Sequence, residues 1–258
     1  MANTVFSNKV LEAKAKDLLM TAVNARNYMT VDTDLTQDAG MTKTINVYTY
    51  SGEAEEVANG EGNKSEGSIT FVPNDYTVKT VQQKFKYTDE EYMKDPTIVD
   101  NMLKGANQVM VNKMTSYFVD EIKKATLNAT NSKFGYDAIV DGISALNIED
   151  ESGLFTLYPN AWKAELRKDD DYKAARMGEV VYSGQTGTVA GIPTIPSKAL
   201  TDAGYVANKE AVTLFLKKDV EVEQERDADT RTNYVYLRAF YIVALTDATK
   251  VAKISKGA

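Results

Sequence analysis

The chain has no cysteine and no histidine among its 258 residues. Without thiols it forms no disulfide, and without imidazole or thiolate it lacks the usual zinc ligands and any histidine-based catalytic triad or dyad. An enzyme made from this chain would depend on Asp, Glu, Lys, Tyr or Ser alone, and the sequence offers no paired acid–base motif. We therefore expect no catalytic residue, no cofactor and no bound metal.

Long apolar runs are also missing. No stretch approaches the roughly 20 apolar residues of a membrane-spanning helix, and the N-terminus lacks the basic start and apolar run of a signal peptide. We therefore expect a protein made and used in a cytoplasm, with no membrane partner. The net charge of −7 differs from that of dedicated nucleic-acid-binding proteins, which are usually basic. The lysines Lys250, Lys253 and Lys256 are predicted to form a solvated tail rather than phosphate contacts.

Apolar residues at helical spacing predict a modest N-terminal helix and a much longer helix over residues 97–127. The long helix follows Asp95-Pro96, where Asp95 is a good N-cap and proline is favoured at the first helical position. At about 1.5 Å per residue it would span on the order of 45 Å. Its apolar stripe is predicted to pack against the core, through residues that include Met102, Ala106, Val109, Met110, Tyr117 and Phe118.

Strand patterns lie on both sides of this helix. Residues 81–87 alternate, which predicts a strand with Val81, Phe85 and Tyr87 on one face. The strand ends at Thr88-Asp-Glu-Glu91, a capping-box pattern that predicts a short helix. The last third of the chain is predicted to be rich in β-strands, and no Pro/Ser-rich linker divides it. The fold class that these patterns indicate is α+β.

An acidic, glycine-rich segment separates two predicted strands, Ile45–Tyr50 and the strand that begins at Ser68. Paired across this segment, the strands would form a ribbon roughly 40 Å long at about 3.3 Å per residue. A lone two-stranded ribbon has little stability in water, so it should lie on something, and its tip would reach past the subunit's own core. From the residues alone three hypotheses stay open: an arm onto a neighbouring copy, a mobile surface loop, and a metal site. The tip residues concerned are Gly52, Glu53, Glu55, Glu56, Gly60, Glu61, Gly62 and Lys64.

The order of these features resembles that of tailed-bacteriophage major capsid proteins with the Hong-Kong-97 fold. An N-terminal arm precedes the ribbon with its VANGEG segment, and FKYTDEEYMKD leads into the long helix. LYPNAWKAELRKD, GTVAGIPTIPSKAL and VEVEQERDADTRTNYVYLRAFYIVAL follow, so the resemblance covers nearly the whole chain. It implies an N-terminal arm and helix over 1–42, a β-hairpin E-loop over 43–80, a peripheral (P) domain from 81–134 and 219–258 with its spine helix over 97–127, and an axial (A) domain over 135–218.

The resemblance also implies a function, namely self-assembly into pentamers and hexamers that close an icosahedral shell around viral double-stranded DNA. In this family the E-loop lies over the adjacent subunit, so the tip residues would be inter-subunit contacts. No long helical scaffolding segment precedes the arm, which implies a separate scaffolding protein or a precursor already trimmed, and Met1 favours the separate protein. A portal is expected as a further partner. The acidic charge implies weak, non-specific contact with packaged DNA. The expected location is the virion capsid, assembled in the cytoplasm of a bacterial host.

Some members of the family join subunits by lysine–asparagine cross-links, which need a lysine near the E-loop tip. Lys64 is present there, but no matching catalytic context surrounds it, so cross-linking is not expected. Two alternative functions stay open beside the capsid hypothesis. One is an encapsulin-like nanocompartment shell, which would share the fold and differ in its contents. The other is a small-molecule enzyme or binding module that uses carboxylates.

Overall fold

The computed structural model describes residues 10–15, 25–36, 40–175 and 187–257. These residues form two β-sheets, a separate two-stranded ribbon and one long helix. The helices are α1 (10–15), α2 (Asp89–Lys94), α3 (Ile98–Ile122), α4 (Tyr136–Leu146), α5 (Lys163–Lys168) and α6 (Asp170–Ala175).

The strands contribute to three separate sheets. The first sheet has the order β1-β10-β11-β4, the second has the order β5-β12-β9-β6-β8-β7, and among the described strands β2 pairs with β3 alone. The strands are β1 (Thr30–Asp32), β2 (Thr42–Ser51), β3 (Ser68–Thr77), β4 (Lys79–Thr88), β5 (Leu127–Asn131), β6 (Leu154–Pro159), β7 (Thr188–Val189), β8 (Ile192–Ser197), β9 (Ala203–Asn208), β10 (Val212–Asp227), β11 (Thr232–Leu245) and β12 (Val251–Lys256).

The long helix α3 packs on one face of the four-stranded sheet. The alternation predicted for residues 81–87 is confirmed, since Val81 and Tyr87 of β4 are buried and share one core with Leu237 of β11. From the helix, Leu103 and Phe118 enter the same core, each with only 1% of its surface exposed. Apolar burial on this scale is the main stabilising term for such a layer.

The corner before α3 is fixed by short polar contacts. The predicted capping box is confirmed: the Glu91 amide donates to Thr88 Oγ1 at 3.2 Å, and the Thr88 amide donates to Glu91 Oε2 at 2.9 Å. Asp95 does not cap α3 directly. Its carboxylate accepts from the amide and hydroxyl of Thr97, at 2.9 and 2.7 Å, and thereby shapes the turn that precedes Ile98.

The predicted C-terminal end of the long helix is wrong. The helix ends at Ile122 rather than at residue 127, and Leu127–Asn131 forms β5, which pairs in parallel with β12. Asn and Thr have modest helix propensity, and the partner strand supplies the backbone hydrogen bonds that a helix would have supplied. A pairing partner more than 120 residues away in the sequence therefore decides the conformation here.

The predicted solvated tail is also wrong. Residues 251–256 form β12 in the six-stranded sheet, between β5 and β9. Lys250 Nζ lies 2.6 Å from Glu210 Oε2, and Lys256 Nζ lies 2.6 Å from Glu165 Oε2. The backbone pairing and these ion pairs hold the C-terminal segment in the sheet.

The second sheet packs against α4, and an aromatic cluster shares the same core. The ring centroid of Phe134 lies 5.1 Å from that of Tyr158 and 5.1 Å from that of Trp162. Gly142 of α4 permits close packing, since a Cβ there would lie 2.8 Å from Val206 Cγ2. The cluster and α4 form a core distinct from the one beneath α3.

The helix residues predicted to pack do not all do so. Ala106, Met110 and Phe118 are buried, and Met102 and Tyr117 are half-buried against the same core. Val109 is a correction, because half of its surface is exposed, at 50%. Its neighbours one turn away along the same face are the exposed residues Gly105 and Lys113, so Val109 lies beyond the edge of the buried stripe.

The packing of α3 predicts that two side-chain truncations on this helix differ strongly in their effect on the free energy of unfolding. Phe118→Ala should lower the free energy of unfolding by about 3–5 kcal/mol, because it empties a fully buried site. Val109→Ala, the matched control, should change it by less than about 0.5 kcal/mol. Urea unfolding of the unassembled subunit, followed by circular dichroism, measures both. Equal losses for the two variants would contradict this description of the helix.

Candidate subunit interface

The ribbon formed by β2 and β3 extends away from both sheets. Its ten paired positions run from Thr42 with Thr77 to Ser51 with Ser68, a length of about 33 Å at 3.3 Å per residue. Between Asn46 and Pro73, every side chain that the structure describes is exposed. Among the described side chains of the ribbon, those at its base are therefore the ones that the subunit covers.

The outer half of the ribbon carries large apolar side chains. Ile69, Phe71 and Val72 of β3 are 53%, 61% and 54% exposed. Successive strand residues point to opposite faces, so Phe71 and Val72 leave both faces of the ribbon apolar. Contiguous exposed apolar side chains are typical of an interaction surface.

The tip, residues 52–67, is shaped by one turn and one lysine. The Glu61 amide donates to the Ala58 carbonyl at 3.0 Å, and Gly60 has a φ of +95°. This is the arrangement of a type II turn, whose third position needs a positive φ and therefore favours glycine. The Lys64 amide donates to Glu55 Oε2 at 2.8 Å, while Lys64 Nζ lies 3.5 Å from Glu61 Oε2.

The charge of the tip is strongly negative, with five glutamates against one lysine. Glu53, Glu56 and Glu66 form no hydrogen bond or ion pair within the described part of the chain, which leaves three carboxylates for other contacts. No group of three or more acidic side chains that could hold a metal ion occurs among the described residues.

The described helices also include none that is long and apolar enough to cross a membrane.

The hydrogen bonds of Glu55 affect its titration. The Lys64 amide, and to a lesser extent the Ser65 hydroxyl, hold the pKa of the Glu55 carboxyl below its ordinary value. Hydrogen bonds from neutral donors favour the charged form of a carboxylate, which is the physical cause of the shift.

The base of the ribbon is attached to the body by an apolar cluster. Ile45 of β2 and Val78, just after β3, are buried against Phe215, Ile242 and Ala244. The Val78 amide closes the base by donating to the Met41 carbonyl at 2.7 Å.

A buried carboxylate adds a polar attachment at the same place. Glu121, near the end of α3, accepts from Tyr76 Oη at 3.2 Å and from the Leu245 amide at 3.2 Å. Lys124 Nζ lies 2.7 Å from each Glu121 oxygen. Neither Glu121 nor Tyr76 was identified from the sequence. The available signal was an acidic residue beside the apolar stripe, between Phe118 and Ile122.

The structure separates the residues predicted for the site into two groups. The eight predicted tip residues lie together at the end of the ribbon, and all are exposed. The six predicted helix residues lie on α3 in the body of the subunit, where five of them contact its core. Among the residues predicted for the site, those on the ribbon are therefore the ones that stay exposed as a group.

Comparison with known proteins identifies the fold. The capsid of a native GTA particle superposes with a TM-score of 0.68 at 13% identity, covering 100% of this chain and 93% of that one. The capsid of cyanophage P-SCSP1u superposes with a TM-score of 0.65 at 11% identity, covering 89% and 86% of the two chains. The chain thus has the Hong-Kong-97-type capsid fold, an α+β fold.

A relative found by sequence is more specific than the fold. The chain is 26% identical over 242 residues to the major capsid protein of Staphylococcus phage phiMR11, covering 90% of this chain and 86% of the relative. No protein-family model matches the chain. The predicted resemblance to tailed-phage major capsid proteins is confirmed, and both relative and fold are those of structural proteins rather than enzymes.

The lowered pKa of Glu55 predicts how the tip responds to acid. A depressed pKa means that the contact with the Lys64 amide is present above the ordinary pKa of a glutamate and is lost as pH falls through the lowered value. The Lys64 amide should therefore show an NMR titration step at low pH, and Glu55→Gln should remove that step. A step that persists unchanged in the variant would contradict the contact.

Proposed function

We propose that this chain is a major capsid protein whose copies assemble into pentamers and hexamers that close an icosahedral shell around double-stranded DNA. The observation that carries the proposal is the ribbon, whose described side chains from Asn46 to Pro73 are exposed although they include large apolar residues. The body of a neighbouring copy is the surface that would cover them. The capsid fold and the phage relative support this function.

The tip would make the most distal inter-subunit contact. Its residues Gly52, Glu53, Glu55, Glu56, Gly60, Glu61, Gly62 and Lys64 would face a neighbour, and its excess of carboxylates favours basic groups there. The type II turn and the Lys64 contacts give the tip a defined shape before it binds, which lowers the entropy lost on binding. The arm hypothesis thus explains the length of the tip, its negative charge and its defined shape together.

We assign the parts of the subunit by analogy with the fold. The N-terminal arm would occupy 1–42 and the E-loop 43–80. The peripheral domain would comprise 81–134 and 219–250 with α3 as its spine, and the axial domain 135–218 with α4. Because β12 pairs within the six-stranded sheet, we include residues 251–256 in the axial rather than the peripheral domain.

Several partners follow from this function. A separate scaffolding protein and a portal would act during assembly in the cytoplasm of the bacterial host, and the final location would be the virion capsid. Contact with packaged DNA would be weak and non-specific, since the net charge of −7 opposes tight binding to phosphates. An encapsulin-like compartment would use the same fold, but the phage relative favours the viral shell.

Deletion of Glu55 to Glu61 tests the proposed role of the tip. The shortened subunit should fold with unchanged stability, because these residues contribute nothing to its own core, yet it should fail to form capsomers and shells. Analytical ultracentrifugation, with any scaffolding protein co-expressed, measures assembly, and electron microscopy shows whether the particles contain DNA. The matched control replaces the same seven residues by a Gly/Ser segment of equal length. It separates the effect of the length of the tip from the effect of its side chains.

The same experiment can overturn the proposal. A wild-type chain that stays a small monomer under every condition would exclude a shell protein. A deletion variant that unfolds, or that assembles as well as the wild type, would contradict the proposed role of the tip. Wild-type particles that hold a cargo enzyme instead of DNA would favour the nanocompartment.

A further inference from the structure

Glu121 lies where three parts of the subunit meet. It belongs to α3, it accepts the Tyr76 hydroxyl from the ribbon, and it accepts the Leu245 amide from the end of β11. Only 12% of its side chain is exposed, against 53% for its ion-pair partner Lys124. A carboxylate has only acceptor oxygens, and here Tyr76 and Leu245 donate to Oε2 while Lys124 Nζ lies 2.7 Å from both oxygens.

We propose that Tyr76, Glu121 and Lys124 form a lock that fixes the direction in which the ribbon leaves the body of the subunit. This base lock makes Glu121 and Tyr76 positioning residues for the arm. The inference rests on the proposed function, because a fixed direction matters only if the arm must meet a neighbour.

The opposite strand of the ribbon has its own attachment. Lys43 of β2 pairs in register with Tyr76 of β3, so both side chains lie on the same face of the ribbon. Lys43 Nζ lies 3.9 Å from the ring centroid of Phe215 and 3.6 Å from Asp32 Oδ2. One strand is therefore held by the lysine and the other by the tyrosine. Two attachments side by side resist twisting of the ribbon, which a single attachment would permit.

Because the ribbon is long, its direction at the base must be fixed closely. A swing of ten degrees at the base moves the end of an arm of about 33 Å by about 6 Å. Side chains in contact approach within about 4.0–4.5 Å, so such a swing would take the tip out of its contacts. The apolar cluster at the base attaches the ribbon, but apolar contacts have little directional preference. Hydrogen bonds to a buried carboxylate supply that direction.

The donor in the lock keeps its proton at neutral pH. Burial raises the pKa of the Tyr76 phenol, and the nearby Glu121 carboxylate raises it further. Lys124 Nζ lies 5.3 Å from the centroid of the Tyr76 ring and 2.7 Å from each Glu121 oxygen. The phenol, the carboxylate and the ammonium group therefore form one cluster.

Tyr76→Phe tests the lock while keeping the ring in place. The chain has no cysteine, so two introduced cysteines, at Thr70 on the ribbon and Gln108 on the exposed side of α3, take spin labels uniquely. Distances between the labels are measured on unassembled full-length subunits. The matched control is Tyr236→Phe, which removes a phenol–carboxylate hydrogen bond of similar length, 3.1 Å to Glu225, within the body.

Tyr76→Phe should broaden the distance distribution, and Tyr236→Phe should leave it as narrow as in the unsubstituted chain. Hydrogen exchange of the Val78 amide should become about tenfold faster in Tyr76→Phe, as expected from the loss of a hydrogen bond to a charged group. The Leu245 amide should stay protected, because Glu121 and Lys124 remain in place. Simple loss of stability would instead expose both amides together.

Two results would overturn the lock: a broad distribution in the unsubstituted chain, or a distribution that Tyr76→Phe leaves unchanged. Neither result bears on whether wild-type chains form shells, because the measurement uses unassembled subunits. Failure of the lock and failure of the proposed function are therefore distinguishable.

Discussion

A two-stranded ribbon has two open faces and no interior, so it cannot bury its own side chains. In this subunit the body covers the first few residue pairs of the ribbon and then stops. The outer half keeps Ile69, Phe71 and Val72 exposed, together with an acidic tip. A ribbon of this composition gains little stability from its own subunit beyond the base. The proposed assembly with other copies would cover the exposed part.

The rest of the fold provides a firm base for the arm. Helix α3 packs along the four-stranded sheet, and Asp89 ties the start of α2 to the same sheet by accepting from Arg226 Nη2 at 2.7 Å and from Asn233 Nδ2 at 2.8 Å. Glu121 joins this body to the ribbon. A buried carboxylate is costly to desolvate and is tolerated only when its acceptors are satisfied, and here three donors satisfy them. Such a contact is better suited to orienting the ribbon than to stabilising the fold.

Local sequence patterns predicted the elements that local interactions determine. The capping box at Thr88 and Glu91 needs only four residues, and the alternation in β4 needs only one strand beside one core. The ribbon also followed from its own two strands and the polar segment between them. Each of these elements would be recognisable in a short piece of the chain.

The features that were missed depend on distant residues. The end of α3 is set by the pairing of Leu127–Asn131 with β12, which the helical stripe cannot reveal. Val109 lies just outside the buried stripe, where the identity of the residue suggests burial but its position does not. Glu121 is a single carboxylate near the end of a helix, a type of residue that is usually solvated. Only the meeting of α3, β3 and β11 makes it a point of attachment.

A cryo-electron microscopy reconstruction of assembled particles would decide whether the ribbon lies on a neighbouring copy. We expect continuous density for residues 52–67 over an adjacent subunit, with the faces of Phe71 and Val72 covered by that subunit. Density that folds the ribbon back onto its own body, or that leaves it in solvent in a closed shell, would exclude this arrangement.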